Sequence, residues 1–284
     1  MNIGIIGFGT VGKAIAAGFE KKVQLHIYDP LYPADSGAQF YGSIAEVYRA
    51  CDFTFICVPT PQKLKMPDDV YGEFDSSILD GCMEAITRAG PYGSKIVVIA
   101  STVLPSKVKE YIDAWHDMNI VISPELLTEK NAMQDFLNPD CRIIGGDPAH
   151  TRALQKLYDD YSECRPCKVG YCSAVNAAYI KYMRNTYLAM KVSMMNQFYD
   201  LFVKMDSTDD WQDIAKILHY DSRLGGSHYN VPGHDGKRGW GGKCLPKDSA
   251  ALYHYAMEQD VEMTLLKAAL EYNKEVREKI DWTE

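Results

Sequence analysis

A cysteine placed directly before a proline-initiated helix is the side chain in this sequence best suited to covalent chemistry. Cys244 precedes Pro246, a residue favoured in the first turn of a helix, and Lys243 and Lys247 lie on either side. The helix dipole and the two ammonium groups would favour the thiolate, which is the nucleophilic form of cysteine. Asp248, four residues on, would share one helical face with the thiol. The alternative is a buried thiol without a chemical role.

Two further pairs of reactive side chains are each spaced by four residues. Lys181 and Asn185 lie in a predicted helix and would point in the same direction from it. Glu125 and Glu129 follow a predicted strand and supply two carboxylates. Each pair has an alternative explanation, namely a solvated lysine in the first case and an acidic helix start in the second.

A glycine-rich turn, Gly7-Phe8-Gly9-Thr10-Val11-Gly12, follows the first predicted strand. In such a GxGxxG turn the first glycine permits the bend, the second lets the backbone approach a pyrophosphate, and the third allows close helix–strand packing. Asp29 ends the second predicted strand, where a carboxylate accepts hydrogen bonds from ribose hydroxyls and repels a 2′-phosphate. The pattern predicts NAD rather than NADP, and the alternative is a glycine turn without a ligand. The expected cofactor contacts here are Gly7, Gly9, Thr10, Val11, Gly12 and Asp29.

The elements that must position these groups alternate between strand and helix in the first half of the chain. Such alternation favours a parallel, doubly wound sheet with helices on both faces. The predicted strands are Asn2–Ile6, Val23–Tyr28, Phe53–Val58, Lys95–Ala100, Ile120–Ser123 and Arg142–Gly145. The predicted helices are Gly12–Glu20, Ile44–Ala50, Ser77–Ala89, Ser106–His116 and Ala149–Tyr161. We therefore predict an α/β, Rossmann-type domain over residues 1–170, followed by an all-helical dimerisation domain over residues 171–284.

The second half contains one predicted helix of unusual length, Ser173–Met205. Its apolar side chains recur every three or four positions and form a stripe of Ile180, Met183, Tyr187, Met190, Met194 and Leu201. The stripe predicts buried packing, and a helix longer than about 25 residues suits one shared with a second subunit. Further helices are predicted at Asp209–Leu218, Pro246–Glu258 and Val261–Ile280, with a glycine-rich loop before Lys243.

Charge and composition exclude several classes of partner. The 284 residues carry 30 basic and 38 acidic side chains, and this net charge of −8 excludes a chain-wide basic surface for nucleic acid or anionic lipid. No run approaches the roughly 18 apolar residues of a membrane span. We expect a cytoplasmic protein with its eight cysteines reduced. The loop from Asp221 to Asp248 differs, because its five basic and three acidic residues suit an anionic substrate, or else a solvated loop.

Taken together and in order, the motifs resemble those of the UDP-glucose/GDP-mannose dehydrogenase family. The resemblance extends from Met1 to about Asn273. Besides the glycine turn, it rests on Val58-Pro59-Thr60-Pro61, Ser101-Thr102-Val103-Leu104-Pro105, Ser123–Glu129 with Asn138-Pro139-Asp140, Lys181-x-x-x-Asn185, Asp221-x-Arg223-Leu224-Gly225 and Gly241–Asp248.

The resemblance implies a four-electron oxidation of the C6 alcohol of a nucleotide sugar to a carboxylate, with two NAD and one water consumed. UDP-glucose to UDP-glucuronate is the specific expectation. Cys244 would capture the aldehyde as a thiohemiacetal that is oxidised to a thioester, while Lys181 and Asn185 stabilise the oxyanions. The resemblance also implies that Asp248, Glu125 and a water bound to Thr102 carry out proton transfer and thioester hydrolysis. It leaves open which carboxylate performs which step.

The resemblance also implies binding residues and a homodimer. Further cofactor contacts are expected at Thr60, Thr102, Glu129 and Lys247. Substrate contacts are expected at Glu125, Leu126, Leu127, Lys181, Asn185, Arg223, Tyr229, Gly241, Gly242 and Cys244. Arg223 would reach into the site of the neighbouring subunit. Family members continue into a second Rossmann-like domain that holds the nucleotide, so this chain is expected to be either a fragment or a compact variant.

Two other functions remain open from the sequence. A two-electron β-hydroxyacid dehydrogenase also joins a Rossmann domain to a helical one and carries a Lys-x-x-x-Asn pair, but it needs no nucleophilic cysteine. A second alternative is an NAD-binding dimerisation module without turnover. The Cys164-Arg165-Pro166-Cys167 segment could be a redox pair or part of a zinc site, but loop packing is favoured and we predict no metal site.

Overall fold

The computed structural model describes residues 1–32, 39–63, 72–128 and 130–277. The chain divides into two compact units. Unit 1 comprises Met1–Pro61 and Asp75–Lys181, and unit 2 comprises Gln62–Phe74 and Tyr182–Glu284.

Unit 1 is built on a seven-stranded sheet. Its strands in chain order are β1 (Asn2–Ile6), β2 (Gln24–Tyr28), β3 (Phe53–Ile56), β6 (Ile96–Ile99), β7 (Asn119–Ile122), β8 (Cys141–Gly146) and β9 (Lys168–Cys172). Their spatial order is β2-β1-β3-β6-β7-β8-β9. All neighbouring pairs are parallel except β7 and β8, which are antiparallel. The chain leaves β1 towards β2 on one side and returns to β3 on the other, which is the switch point where α/β sheets bind ligands.

Helices cover both faces of this sheet. They are α1 (Thr10–Phe19), α2 (Ile44–Ala50), α3 (Ser77–Ala89), α4 (Pro105–Ala114), α5 (Ala132–Leu137) and α6 (Pro148–Tyr161). Alternate strand residues enter opposite cores, so that Ile5 and Phe55 pack with α1 and α6 whereas Ile6 and Ile56 pack with α2 and α3. The predicted α/β, Rossmann-type fold is therefore confirmed.

Two features of the sheet differ from the predicted pattern. The pairing of β8 with β7 is antiparallel in a sheet expected to be parallel throughout. Strand β9 was not predicted, because its sequence KVGYC contains a glycine and its side chains are mostly exposed or half-buried. A strand at the edge of a sheet needs less apolar content than a central one, so its sequence signal is weak.

Unit 2 is mainly helical in the described residues. Its elements are α7 (Ala174–Lys204), which begins in unit 1, then α8 (Trp211–Leu218), a 3-10 turn (Ser222–Leu224), α9 (Leu245–Glu258) and α10 (Thr264–Val276). A two-stranded hairpin of β4 (Gln62–Lys63) and β5 (Glu73–Phe74) also belongs to this unit. Within the described residues, no helix is long and apolar enough to cross a membrane.

The long helix α7 buries several polar side chains and exposes several apolar ones. Its buried side chains include Asn185, Thr186, Ser193 and Asn196. The predicted stripe is not buried packing within this chain, because four of its six members are exposed. The exposed side chains Met183, Tyr187, Met194, Phe198 and Leu201 form what we call the apolar face of α7. The apolar spacing in the sequence correctly identified one face of the helix. Such spacing does not show whether that face is covered by the same chain or by another molecule.

Candidate active site

The glycine turn between β1 and α1 has the geometry of a dinucleotide-binding turn. Gly7 has a φ of +93°, and a β-carbon there would lie 2.7 Å from the backbone oxygen of Cys57. A β-carbon on Gly12 would collide with the backbone oxygen of Gly7. Side chains at either position would therefore force the turn open.

The turn also leaves room for an anion at the start of α1. Gly9 caps the helix and has open space where a side chain would begin, while Thr10 is exposed and Val11 is half-buried. The first turn of α1 carries no acidic side chain. Unpaired backbone N–H groups and the positive end of a helix dipole are what a pyrophosphate requires, so the residues fit an NAD pyrophosphate.

Asp29 is held at the end of β2 by the glycine turn itself. One carboxylate oxygen accepts a hydrogen bond from the backbone N–H of Phe8 (2.6 Å), and the other accepts one from the N–H of Leu31 (2.8 Å). Each carboxylate oxygen has a further lone pair for a ribose hydroxyl. Asp29, which is expected to select NAD, is thus fixed relative to the glycine turn, which is expected to bind the pyrophosphate.

An aromatic cluster beside Asp29 was not found by sequence reasoning. The Phe8 ring packs edge-on against Tyr32 and Phe40, with ring centroids 5.6 and 5.5 Å apart. The ammonium of Lys13 lies 5.8 Å from the centre of the Phe8 ring. The only signal of this cluster in the sequence was Phe8, the aromatic residue within the glycine motif. Its presence there did not identify the rings that pack against it.

Two loops at the carboxyl ends of β3 and β6 carry the threonines expected at the cofactor. Thr60 is buried and Thr102 is half-buried. The Ser101 hydroxyl donates to the backbone oxygen of Val58 (2.8 Å) and lies 3.2 Å from that of Ile56, which joins the two loops. Sequence reasoning included Ser101 in a motif but assigned it no role.

Glu125 lies after β7 and has an unusual protonation equilibrium. Desolvation raises the pKa of its carboxyl group to about 7, although the charges of Arg142 and Lys181 act in the opposite direction. The Lys181 ammonium is buried and donates to the backbone oxygen of Glu125 (2.7 Å). A carboxyl group with a pKa near 7 can both accept and donate a proton at neutral pH.

Unit 2 brings Asn185 and Asp248 together. The Asn185 amide donates to one carboxylate oxygen of Asp248 (2.6 Å), and the Lys247 ammonium donates to the other (2.6 Å). Asp248 is only 1% exposed, so these donors replace water around a buried charge. Lys247, which was expected at the cofactor, is therefore paired with Asp248.

Cys244 is the N-cap residue of α9, which begins at Leu245, one residue before the predicted start at Pro246. Its side chain is exposed, and its backbone oxygen accepts the N–H of Asp248 (2.9 Å). The thiol thus stands at the positive end of a 14-residue helix, one turn before the buried carboxylate. Gly241 is half-buried and Gly242 is exposed in the loop that leads to it.

The loop before Cys244 is held by a polar network that sequence reasoning missed. The side-chain amide of Asn273 in α10 accepts from the Trp240 N–H (2.7 Å) and donates to the Trp240 backbone oxygen (2.9 Å). The Trp240 indole N–H donates to the Ser193 hydroxyl (2.9 Å). Asn196 accepts from the Gly239 N–H (3.1 Å). Buried asparagine side chains on two helices therefore determine the path of the loop.

Several residues expected at the substrate have local partners. Arg223 forms an ion pair with Asp221, and its side chain is 86% exposed. The Tyr229 ring stacks on His219 with centroids 4.1 Å apart. Arg238 pairs with Asp200 on α7, whereas Asp235 pairs with Arg277 outside the loop, so these ion pairs leave the loop's excess of two basic residues unchanged.

Leu126 and Leu127 are half-buried after β7, and Leu127 packs against a core of the sheet. Glu129 lies outside the described residues. Cys164 and Cys167 line a cavity of about 210 Å³ with Arg142 and Tyr158. Among the residues that the structure describes, no group of three His, Cys, Asp or Glu side chains is arranged to hold a metal ion.

The mostly parallel sheet, its glycine turn and Asp29 define unit 1 as an NAD-binding Rossmann domain, and the family models agree. Residues 34–162 match the NAD-binding domain of the UDP-glucose/GDP-mannose dehydrogenase family, and residues 175–275 match its central domain. The chain belongs to the UDP-glucose/GDP-mannose dehydrogenase family.

Individual relatives extend this comparison. The UDP-glucose 6-dehydrogenase of Rickettsia prowazekii is 28% identical over 276 residues, which are 95% of this chain and 59% of the relative. The chain thus spans about three-fifths of that relative. A UDP-glucose dehydrogenase structure from Pyrobaculum islandicum has a TM-score of 0.79 at 25% identity, covering 96% of this chain and 68% of that one. The 3-hydroxyisobutyrate dehydrogenase of Mycobacterium tuberculosis shares the fold, with a TM-score of 0.75 at 17% identity, covering 96% and 92%.

Proposed function

We propose that this protein is an NAD-dependent nucleotide-sugar 6-dehydrogenase that oxidises a C6 alcohol to a carboxylate, with UDP-glucose as the first substrate to test. The observation that carries the proposal is the exposed Cys244 thiol at the N-terminus of α9, one turn before the buried Asp248. A nucleophilic cysteine is required by a four-electron oxidation that passes through a thioester, and a two-electron dehydrogenase needs none.

The proposed reaction has three stages, which are oxidation of the alcohol, covalent capture with a second oxidation, and hydrolysis. The glycine turn and Asp29 would hold NAD, which would supply the oxidant for both hydride transfers, one from the alcohol carbon and one from the covalent adduct, with one proton released each time. Between these events the Cys244 sulfur adds to the aldehyde carbon, and the carbonyl oxygen becomes the oxyanion of a thiohemiacetal. After the second oxidation, water attacks the thioester, and the carbon–sulfur bond breaks to release the carboxylate and the thiol. Covalent capture prevents loss of the aldehyde between the two hydride transfers.

Two donors on α7 are suited to the oxyanions. Lys181 and Asn185 lie one turn apart and are both buried. A preorganised donor of this type contributes roughly 3 kcal/mol to transition-state stabilisation. Asp248 and Glu125 are the candidates for proton transfer. The pKa of Glu125, raised to about 7, favours it as a group that changes protonation state during turnover at neutral pH.

A homodimer is part of the proposal and is supported by the apolar face of α7. Met183, Tyr187, Met194, Phe198 and Leu201 are all between 42% and 66% exposed in the single chain. Contiguous apolar surface of this kind marks an interaction site. In the proposed homodimer the exposed Arg223 would bind a phosphate of the neighbouring subunit's substrate through its guanidinium group.

The test is NADH production by the purified chain with UDP-glucose, UDP-N-acetyl sugars and GDP-mannose, together with product mass and NADH stoichiometry. We expect two NADH and one acid per nucleotide sugar. Cys244→Ser should stop acid formation or accumulate an aldehyde-level species while NAD binding survives, and Cys172→Ser should behave as the wild type. Normal acid production by Cys244→Ser would contradict the thioester route.

The same experiment separates the proposal from two rivals. One NADH per substrate, unchanged in Cys244→Ala, would favour a two-electron β-hydroxyacid-type dehydrogenase, whose fold this chain shares. NAD binding without NADH production from any of the nucleotide sugars would favour a dimerisation module without turnover.

A further inference from the structure

One lysine on α7 holds the loop that carries Arg223. The Lys191 ammonium donates to three backbone oxygens, those of Leu224 (2.8 Å), Gly225 (3.2 Å) and Ser227 (2.5 Å). An ammonium group has three N–H donors, so this loop uses the full capacity of the side chain. The loop bends sharply at that point, with a φ of +66° at Gly225.

The position of Lys191 on the helix determines where the loop lies. At 3.6 residues per turn, Lys191 lies about 120° around α7 from Asn185 and about 40° from Tyr187. The loop is therefore anchored beside the apolar face and away from the side of the helix that carries Asn185. Arg223 directly precedes the anchored Leu224, and its side chain is 86% exposed.

We propose that Lys191 is a positioning residue, which fixes the Ser222–Ser227 loop so that Arg223 is presented for the substrate of a second copy of the chain. The role given to Arg223 rests on the proposed function. The anchoring of the loop by Lys191 is independent of it. Partial burial of the Lys191 ammonium lowers its pKa. This agrees with a group that has lost contact with water and binds backbone oxygens instead.

Anchoring is tested by trypsin cleavage of the Arg223–Leu224 bond in the intact chain, with the fragments quantified by mass spectrometry. In Lys191→Met we expect the cleavage rate to rise about tenfold, because the loop opens more often. Lys191→Arg, which keeps the charge and several donors, should restore most of the protection. Lys204→Met, on the same helix, is the matched control and should behave as the wild type. An unchanged rate in Lys191→Met would overturn the anchoring.

Cleavage after Lys130, an exposed residue of unit 1, serves as the internal reference. A rise at Arg223 alone indicates loop release. An equal rise at both positions would indicate general loss of stability and would overturn the specific role of Lys191.

The functional role is tested by kinetics. We expect Lys191→Met to raise the KM for the nucleotide sugar about tenfold, with little change in kcat or in the KM for NAD, because only the presentation of a binding group is lost. Lys191→Arg should return the KM towards that of the wild type. A normal KM in a variant with selective cleavage at Arg223 would overturn the positioning role. If no nucleotide sugar yields NADH in the wild type, the proposed function fails, and the cleavage ratios still decide the anchoring.

Discussion

At the residue scale, the partners of each reactive side chain matter more than its spacing in the sequence. Asn185 was paired with Lys181 by sequence, since the two are four residues apart. In the structure its amide binds Asp248, which is 63 positions away. Local spacing predicts which side chains share a helical face, but it carries no information about contacts between α7 and α9. The buried ion pair of Lys247 and Asp248 could not be predicted for the same reason.

Glu125→Gln should stabilise the protein above pH 7. The folded state holds a proton on Glu125 up to a pKa of about 7, whereas the unfolded chain releases it near 4.5. Stability therefore falls as the pH rises through this window, and the variant avoids a cost of up to about 3 kcal/mol. Chemical denaturation at pH 5 and 8 should show a gain that is larger at pH 8. Glu262→Gln, at an exposed position, is the control, and a gain independent of pH would contradict the assignment.

His26 should produce the opposite pH dependence. Its ring is buried in β2, and burial lowers its pKa below 6.5. Within the described part of the chain neither ring nitrogen has a hydrogen-bond partner. As the pH falls below about 6.5, the unfolded state binds a proton that the folded state does not, so stability declines. We expect His26→Leu to lose less stability than the wild type between pH 7 and 5. Identical losses in the two proteins would show that another group titrates.

At the element scale, features encoded by neighbouring residues were predicted well. The glycine turn, Asp29 and the Pro246 helix start depend on a few adjacent positions, and their geometry follows from backbone sterics. Strand β9 and the antiparallel pairing of β8 depend on distant partners. The Asn273 amide, which binds both backbone groups of Trp240, had no sequence signal at all because any polar residue could stand on that helix.

Gly12→Ala should disrupt the β1–α1 turn. Its new methyl group would collide with the backbone oxygen of Gly7, so the turn must move. We expect a loss of about 1–3 kcal/mol in stability and at least about a tenfold weaker affinity for NAD. Isothermal titration and thermal denaturation measure the two effects. Gly81→Ala, in α3 with open space around it, is the control and should leave NAD binding unchanged. Wild-type values for both properties in Gly12→Ala would contradict the packing argument.

At the scale of the whole molecule, the apolar face of α7 predicts the oligomeric state. We expect light scattering to give twice the mass of the chain. The double variant Tyr187→Glu with Met194→Glu should be monomeric, because it places charges in the centre of the contact. Lys216→Glu, on the exposed side of α8, is the control. A monomeric wild type, or a dimer that persists in the double variant, would contradict an interface on this face.

The bond between Asn273 and Trp240 has a consequence for local opening of unit 2. A side-chain amide that engages both backbone groups of one residue replaces the neighbouring strand that a sheet would supply. The Trp240 amide can therefore exchange its hydrogen with solvent only when Asn273 releases it, and release requires α10 to shift or fray. The exchange rate of this single proton thus reports the integrity of α10, and the loop that leads to Cys244 opens in step with that helix.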